Sequence, residues 1–146
     1  LYIGEQMTDN VFYAASKSNK RKIPAGSFST IAGGKGGTEH SDDEEGGQAL
    51  EASIRPQGLT YHQETNTLYI NDGGCGFMGN KRIKKIDLKT NLIKTIAGNG
   101  KKGFEGDGKQ AFSARFNKPR GLAVDTYGNL YIADADNNRI RVVRTP

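Results

Sequence analysis

The chain repeats itself at an interval of 62 to 65 residues, and no other feature constrains its fold as strongly. Four short motifs recur in constant order. They are PQGLT (56–60) with PRGLA (119–123), LYI (68–70) with LYI (130–132), TIAG (30–33) with TIAG (95–98), and QALEA (48–52) with QAFSA (110–114). A further LYI opens the chain at 1–3. Self-similarity at a fixed interval predicts stacked or radially arranged units of one design.

Each repeat predicts several short strands separated by turn signals. The predicted strands cover 58–62, 67–71, 82–88 and 92–97 in the middle copy, and 122–125, 130–133 and 139–143 in the last. They are rich in Ile, Leu, Tyr and Thr and bounded by Gly, Asn or Asp. Glycine occurs 20 times in 146 residues, which disfavours helices because each interior Gly costs about 1 kcal/mol relative to Ala. Four antiparallel strands per unit are typical of a propeller blade.

Composition excludes several other classes of protein. The chain has 21 Lys and Arg against 16 Asp and Glu, a formal net charge of +5. Its hydrophobic residues without Tyr but with Gly make up about 44%, close to the roughly 45–50% of globular proteins, which predicts a folded chain. Its longest apolar runs fall far short of the roughly 18 residues that a membrane-spanning helix needs. The opening residues are too polar for the core of a signal peptide. Cys75 is the single cysteine, so the chain forms no internal disulfide.

Three stretches resemble the NHL repeat family of β-propellers. FNKPRGLAVDTYGNLYIADADNNRIRVV (116–143) is similar to a nearly complete family repeat, and 54–86 to a looser one with an enlarged loop after its second strand. The stretch 95–116 resembles the glycine-rich insert between blades in the long-repeat branch of that family. The resemblance implies an all-β chain of about two to two and a half blades. We expect a partial blade at 1–53, a complete blade at 54–115 and a partial blade at 116–146.

The resemblance also implies a chain that is part of a larger ring. Family propellers usually have six blades. A chain of 146 residues is too short to contain six repeats at an interval of 62 to 65 residues. Because a closed ring is what removes exposed sheet edges, we expect further blades, either in a longer parent chain or in other chains.

The same resemblance implies a hydrogen-bonded lock across each hairpin. In the last copy the locking residues would be Asp134, Asn138 and Arg139, and the middle copy keeps Asp72 and Arg82. Lys81 stands where the last copy has Asn138. A charge-assisted pair of Arg and Asp accounts for these residues without an active site.

Several motifs suggest ligands, and each has a simpler structural interpretation. Residues 98–103 spell G-x-G-x-x-G, but the glycine-rich stretch after them predicts no helix. Residues 103–109 approximate a P-loop, but Gln110 stands where a P-loop has the Ser or Thr that binds magnesium. Asp134, Asp136 and Asn138 have the spacing of an EF-hand start, yet Arg139 replaces the required Gly. The acidic run 40–45 is most simply a solvated loop. We therefore predict no cofactor and no metal site.

The sequence offers no catalytic constellation. His40 and His62 are the only histidines, and neither has a nucleophile in a recognisable pattern. A zinc site needs three or four ligands, and Cys75 has no second cysteine near it. His62 ends a first strand, where it could line the propeller channel, although an ordinary strand-end side chain is the simpler interpretation.

Positive charge is concentrated between residues 81 and 102. The candidate basic binding stripe comprises Lys81, Arg82, Lys84, Lys85, Lys101 and Lys102. Such a stripe can meet phosphates or an acidic partner, whereas lysines on an outer blade edge also discourage pairing between sheets. Phe77 and Phe104 are the only nearby aromatic residues for stacking on bases.

Three hypotheses about function follow. The first is a non-catalytic scaffold for protein–protein interaction, with the loops 33–53 and 98–115 as its contact surface. The second is part of a propeller enzyme, a lyase or lactonase-like hydrolase with a central metal, for which the visible first strands offer only His62 and Asp125. The third is RNA binding through the basic stripe.

Overall fold

The structure is a computed structural model that describes residues 2–5, 10–14, 28–34, 47–73 and 80–144. The described strands form three antiparallel sheets, which confirms the all-β, blade-like architecture expected from the sequence. The strands are β1 (Tyr2–Glu5), β2 (Asn10–Ala14), β3 (Phe28–Ala32), β4 (Gly47–Gln48), β5 (Gly58–His62), β6 (Thr67–Asp72), β7 (Arg82–Asp87), β8 (Leu92–Ala97), β9 (Pro119–Val124), β10 (Leu130–Asp134) and β11 (Arg139–Val143). Within the described residues, three single-turn 3-10 helices cover Ala49–Glu51, Ala111–Ser113 and Ala135–Asn137.

Each sheet corresponds to one blade. The first has the order β1-β2-β3, the second β4-β8-β7-β6-β5 and the third β11-β10-β9. Strand β4 belongs by sequence to the connection between the first two blades, yet it pairs with the last strand of the second blade, β8. The connection between blades therefore adds an outer strand to the blade that follows it.

Strand β6 explains how the blades stack. All six of its residues are buried, because the middle blade is covered on both faces. Leu68 and Ile70 belong to one apolar cluster with Ile31 of the first blade. Tyr69 lies on the opposite face, in a second cluster with Leu130 of the third blade. Alternate side chains of one strand thus join three blades.

The contact between the second and third blades is close at its inner edge. A Cβ atom at Gly58 would collide with the carbonyl oxygen of Arg120 on β9. Asn71 reaches across the same contact and donates its side-chain N–H groups to the carbonyl oxygens of Pro119 and Arg120. Glycine at position 58 is therefore required by the approach of two backbones.

Candidate functional site

The longest described connection, residues 98–115, is called the insert here. It runs from β8 to the start of the third blade and is fixed by backbone hydrogen bonds, such as those from Gly98 N to Ala111 O (3.0 Å) and from Gly103 N to Phe116 O (3.1 Å). Gly106 has φ 98°, and a Cβ there would lie 2.6 Å from the Cα of Ala114. The first helical turn after the G-x-G-x-x-G motif is a single 3-10 turn at 111–113, so the motif is not followed by the helix that dinucleotide phosphates require.

Arg141 on β11 clasps the insert to the third blade. Its Nε and Nη2 donate to Asp107 Oδ1 at 2.9 and 2.7 Å, and Nη2 also donates to the carbonyl oxygen of Glu105 at 2.8 Å. Nη1 donates to the carbonyl oxygen of Arg115 at 2.7 Å and lies 3.5 Å from Asp134 Oδ2. The guanidinium is nearly buried, with 8% of the side chain exposed. One side chain therefore joins the middle and the last residue of the insert to the β10–β11 hairpin.

Asp134 is the centre of the hairpin lock in the third blade. Its Oδ1 accepts the backbone N–H of Asn117 and its Oδ2 accepts the side-chain N–H of Asn137, each at 2.8 Å. Asp134 is completely buried. The carboxylate thus fixes the entry of the chain into the blade and the turn before β11.

The middle blade repeats this arrangement around Asp72, with a lysine in place of the arginine. Asp72 accepts the backbone N–H of Arg55 at 2.8 Å and the side-chain N–H of Asn80 at 2.7 Å. Lys84 takes the place of Arg141, with its Nζ 3.8 Å from Asp72 Oδ2, and is 1% exposed. Lys84 lacks the planar fork of arginine, so it cannot bind several acceptors of an insert in the way that Arg141 does.

The structure does not bring two predicted lock residues, Asn138 and Arg139, to the Asp134 carboxylate. Asn138 adopts a left-handed conformation with φ 54° and ends the 3-10 turn. Arg139 is exposed, donates to the carbonyl oxygen of Asn137 at 2.9 Å and stacks 4.0 Å from the Phe104 ring centre. Arg82 stands opposite Asp72 in the strand register, and its guanidinium packs against Gly100. Neither Asn138 nor Arg139 contacts Asp134 by side chain, whereas Asn137 and Arg141 do.

The sequence contains a signal for Lys84 and Arg141, the two lock cations that were not predicted. Both copies carry a cation two positions after the first arginine of the third strand, at Lys84 and Arg141. A buried lysine or arginine is rare unless it is paired, so burial of this repeated position marks it as part of the lock.

The predicted basic stripe does not form one surface. Lys84 is buried, and Lys85 is the register partner of Tyr69 in the pair of strands β6 and β7. Lys101 and Lys102 are exposed on the insert. Burial lowers the pKa of Lys81, and the neighbouring charge of Lys102 lowers it further.

The candidate ligand groups are engaged in structural contacts where the structure describes them. His62 is buried, with Nδ1 2.8 Å from Thr65 Oγ1 and Nε2 3.3 Å from the carbonyl oxygen of Thr126 on the next blade. Within residues 2–5, 10–14, 28–34, 47–73 and 80–144, no three His, Cys, Asp or Glu side chains lie close enough to hold a metal ion. His40, the acidic run 40–45, Cys75 and Phe77 lie outside the described residues.

Comparison with known proteins identifies the repeat. Residues 116–143 match the family described as NHL repeat. NHL repeat-containing protein 2 of Bos taurus is 36% identical over 89 residues, and that of Homo sapiens is 33% identical over 99 residues. The chain therefore contains an NHL repeat.

The curated relatives of this NHL chain are much longer than the chain itself. The matched parts cover 60% and 66% of the chain but only 11% and 13% of the bovine and human proteins. Protein SUPPRESSOR OF QUENCHING 1, chloroplastic, of Arabidopsis thaliana is 44% identical over 64 residues, 44% of this chain and 6% of that protein.

A solved structure supports the fold of the NHL blades. A structural genomics protein of unknown function from Bacteroides thetaiotaomicron superposes with a TM-score of 0.72 and 24% identity. The match covers 97% of this chain and 31% of that one. In the part of the chain that the structure describes, no helix is long and apolar enough to cross a membrane.

A cleft of about 600 Å³ lies between β11 and the insert, lined by Gly108, Ala111, Ala114 and Phe116 on one side and Ile140 to Arg144 on the other. The same place in the middle NHL blade is filled. There, β8 lies between β7 and β4, and its Ile93 packs with Ala49 and Ile54, the repeat counterparts of Ala111 and Phe116. The cleft therefore has the shape and lining of a fourth-strand position, not of a small-molecule pocket.

At the opposite end of the third NHL blade, Asp125 caps the turn between β9 and β10. Its carboxylate accepts the side-chain and backbone N–H groups of Asn129, both at 2.8 Å, and the backbone N–H of Tyr127 at 3.0 Å. These hydrogen bonds, chiefly the one from the Asn129 side chain, lower the pKa of Asp125 below its ordinary value.

This cap predicts a small pH dependence of stability. Since folding lowers the pKa of Asp125, its contribution is present above the ordinary carboxyl pKa of about 4 and is lost as the pH falls through the lower folded value. We expect Asp125→Asn to reduce the melting temperature at pH 7 and to have less effect below pH 3. Thermal unfolding of both proteins from pH 7 to pH 2.5 measures this. An equal difference at every pH would contradict a role for the charge.

Proposed function

We propose that this chain forms part of a non-catalytic NHL β-propeller scaffold that binds a protein partner through the insert end of its blades. The observation that supports this proposal most directly is the clasp formed by Arg141. It fastens an insert of 18 residues to the blade and leaves other side chains of the insert, such as Lys101 and Phe112, exposed. An ordered loop with free side chains loses little entropy on binding, which favours recognition.

The exposed side chains of the insert suit a protein partner. Lys101 and Lys109 are exposed, and Phe112 is 57% exposed on its 3-10 turn. Aromatic residues are enriched at protein interfaces, and exposed cations at the rim provide electrostatic complementarity. In the described residues, no three His, Cys, Asp or Glu side chains lie close enough to hold the central metal that the enzyme alternative requires.

The proposal predicts that partner capture depends on the outward face of the insert. We expect Lys101→Ser, Lys109→Ser and Phe112→Ser, combined in one variant, to reduce recovery of a bound partner about tenfold, because a few interface residues carry most of the binding energy. The measurement is quantitative mass spectrometry of proteins captured by each bait, followed by photo-crosslinking from position 112. All three side chains lie outside the Arg141 clasp, so the fold is retained.

A matched control changes the opposite end of the third blade. Thr126→Ser and Tyr127→Ser alter exposed residues of the β9–β10 turn, and Tyr127 is 84% exposed. Partners that persist in this control and disappear with the insert variant support the proposal. Identical partners for both variants and the unchanged chain would overturn it.

A further inference from the structure

Four cations from different parts of the chain converge beside the insert. We call Lys81, Lys102, Lys118 and Arg120 the cationic cluster. Lys102 forms an isolated parallel bridge with Phe116, which brings the insert next to the start of β9. Lys118 Nζ lies 2.8 Å from Asp136 Oδ2 in the turn before β11. The cluster therefore spans the junction of the insert, the strand β9 and the β10–β11 turn.

Hydrogen bonds hold the segments of the cluster together. The side-chain N–H of Asn137 donates to the carbonyl oxygen of Gly103 at 2.8 Å, and the backbone N–H of Asp136 donates to Asn117 O at 3.0 Å. The carbonyl oxygen of Arg120 accepts an N–H of Asn71 from the neighbouring blade at 2.8 Å. The backbones that carry the cations are thus fixed before any ligand arrives.

Two cluster residues occupy an unusual backbone conformation. Lys81 and Lys118 both have φ 49°, in the left-handed region that lysine rarely adopts. The backbone N–H groups of Arg55 and Asn117 make the same contact in the two copies. One residue later the middle copy has Pro56, whereas the last copy inserts Lys118 before Pro119. Lys118 is therefore an added residue at a strained position.

A β-bulge follows the added residue. Ile132 pairs with Leu122, but Asp134 pairs with Pro119, so three steps on β9 oppose two on β10. Arg120 lies within this irregular stretch and is exposed. Bulges redirect side chains and are frequent next to functional sites. Local strain at such a place points to a role for the side chains it presents.

The charges within the cluster are not balanced internally. Asp136 is paired with Lys118, and a hydrogen bond from Lys118, with the charges of Arg120 and Lys102, lowers the Asp136 pKa. Lys81 and Lys102 lie close enough for like charges to interact. Lys102, Lys118 and Arg120 outnumber the carboxylate beside them, Asp136, and positive charge held on a rigid backbone attracts an anionic partner and accelerates its association.

We propose that the cationic cluster binds an acidic segment, rich in Asp and Glu, of a partner protein. This inference rests on the proposed scaffold function and names the chemistry of its partner. An acidic protein segment is favoured over single-stranded RNA because base recognition needs free aromatic faces. Phe104, two residues beyond Lys102, has the Arg139 guanidinium 4.0 Å above its ring.

The experiment measures fluorescence anisotropy of two labelled probes of equal charge, a peptide of alternating Glu and Asp and an oligouridylate. We expect Lys102→Ser with Lys118→Asn to weaken peptide binding about tenfold, because two exposed cations of the cluster are removed. Asparagine tolerates the left-handed conformation that Lys118 adopts. Lys89→Gln with Lys94→Gln removes the same charge from two exposed positions elsewhere and should change binding less than twofold.

A gain of affinity provides the second test. Asp136→Asn removes the carboxylate that competes for Lys118, so we expect peptide binding to tighten about threefold, a result that misfolding cannot produce. Absent peptide binding at low salt, equal weakening by the control pair, or tighter binding of the oligouridylate would overturn the inference. If the peptide fails while the insert variant still loses its partner, the scaffold function stands and the acidic-segment inference fails.

Discussion

Replacing Arg141 with alanine is expected to lower the free energy of unfolding by about 3–5 kcal/mol, the largest effect of any single substitution considered for this chain. The guanidinium is 8% exposed and lies beside Asp134, whose side chain is completely buried. Removal leaves that carboxylate without its cation and releases the carbonyl oxygens of Glu105 and Arg115. Breaking one side of a buried pair costs more than the pair itself contributes, since an uncompensated charge remains.

Arg139→Ala is the matched control, because it removes the same group two positions earlier on β11. Arg139 is exposed and stacks on Phe104, an interaction of about 0.5–1 kcal/mol at an exposed site. Urea unfolding followed by circular dichroism compares the two variants. Equal losses would show that the lock is not centred on Arg141.

Arg141→Lys keeps the interpretation testable if the alanine variant does not fold. Lysine occupies this place in the middle blade as Lys84. It retains the charge beside Asp134 but loses the fork that binds Asp107 and two carbonyl oxygens. We expect a loss of stability between those of the other two variants. We also expect hydrogen exchange to increase mainly in residues 103–109, because the clasp holds that part of the insert.

Local patterns in the sequence predicted the strands well. The bounds expected for 58–62 and 92–97 agree with β5 and β8, because Gly, Asn and Asp mark the turns on either side. Strand β9 begins at Pro119, earlier than the predicted 122, since its first residues pair across the bulge. Repeats and turn chemistry are local properties, so a single sequence contains them.

The lock was harder to predict because its partners are chosen by three-dimensional direction. Asp134 and Arg139 are opposite each other in the strand register, which makes Arg139 the obvious partner. The intervening turn places Asn138 in the left-handed region and directs Asn137 to the carboxylate instead. Arg141 gains its buried position from residues of the insert that lie 26 to 36 positions earlier, and no spacing rule relates the two.

Burial on two faces also misleads sequence interpretation. Lys84 lies in a run of charged residues that reads as a solvated edge, yet it is 1% exposed. A blade covered by neighbours on both faces loses the alternation of apolar and polar residues that reveals a half-exposed strand. The cationic cluster presents the reverse case, because its four residues are scattered over 40 positions and meet only after the blades have stacked.

The cleft beside β11 leads to the second large effect, a stabilisation. We expect that grafting residues 88–97 of the middle blade directly after Arg144, with Arg144→Asp, increases the free energy of unfolding by about 2 kcal/mol. Arg144 occupies the position of Asp87, whose carboxylate accepts the backbone N–H of Lys89 at 2.7 Å in the turn before β8. The graft therefore starts in register with β11.

Packing sets the size of this effect. In the middle blade Ile93 is fully buried against Ala49 and Ile54. The grafted isoleucine would meet Ala111 and Phe116, which line the cleft in the third blade. Burying one isoleucine side chain contributes about 1.5–3 kcal/mol to the free energy of unfolding. Pairing of the exposed strand edge adds hydrogen bonds between strands. The conformational entropy lost by the new residues offsets part of this gain.

The control graft carries serine in place of the isoleucine that corresponds to Ile93, with every other residue unchanged. Chemical denaturation of the two grafted chains measures the stability contributed by packing of the grafted isoleucine. Hydrogen exchange of the β11 amides reports whether the edge of β11 is paired with the graft. We expect protection of β11 and greater stability with isoleucine than with serine. Equal stability of the two grafts, with β11 still exchanging freely, would mean that the cleft is not a strand position. Protection of β11 would instead establish that Gly108–Ala111 and β11 form the two walls of a fourth-strand site, as β4 and β7 do around β8.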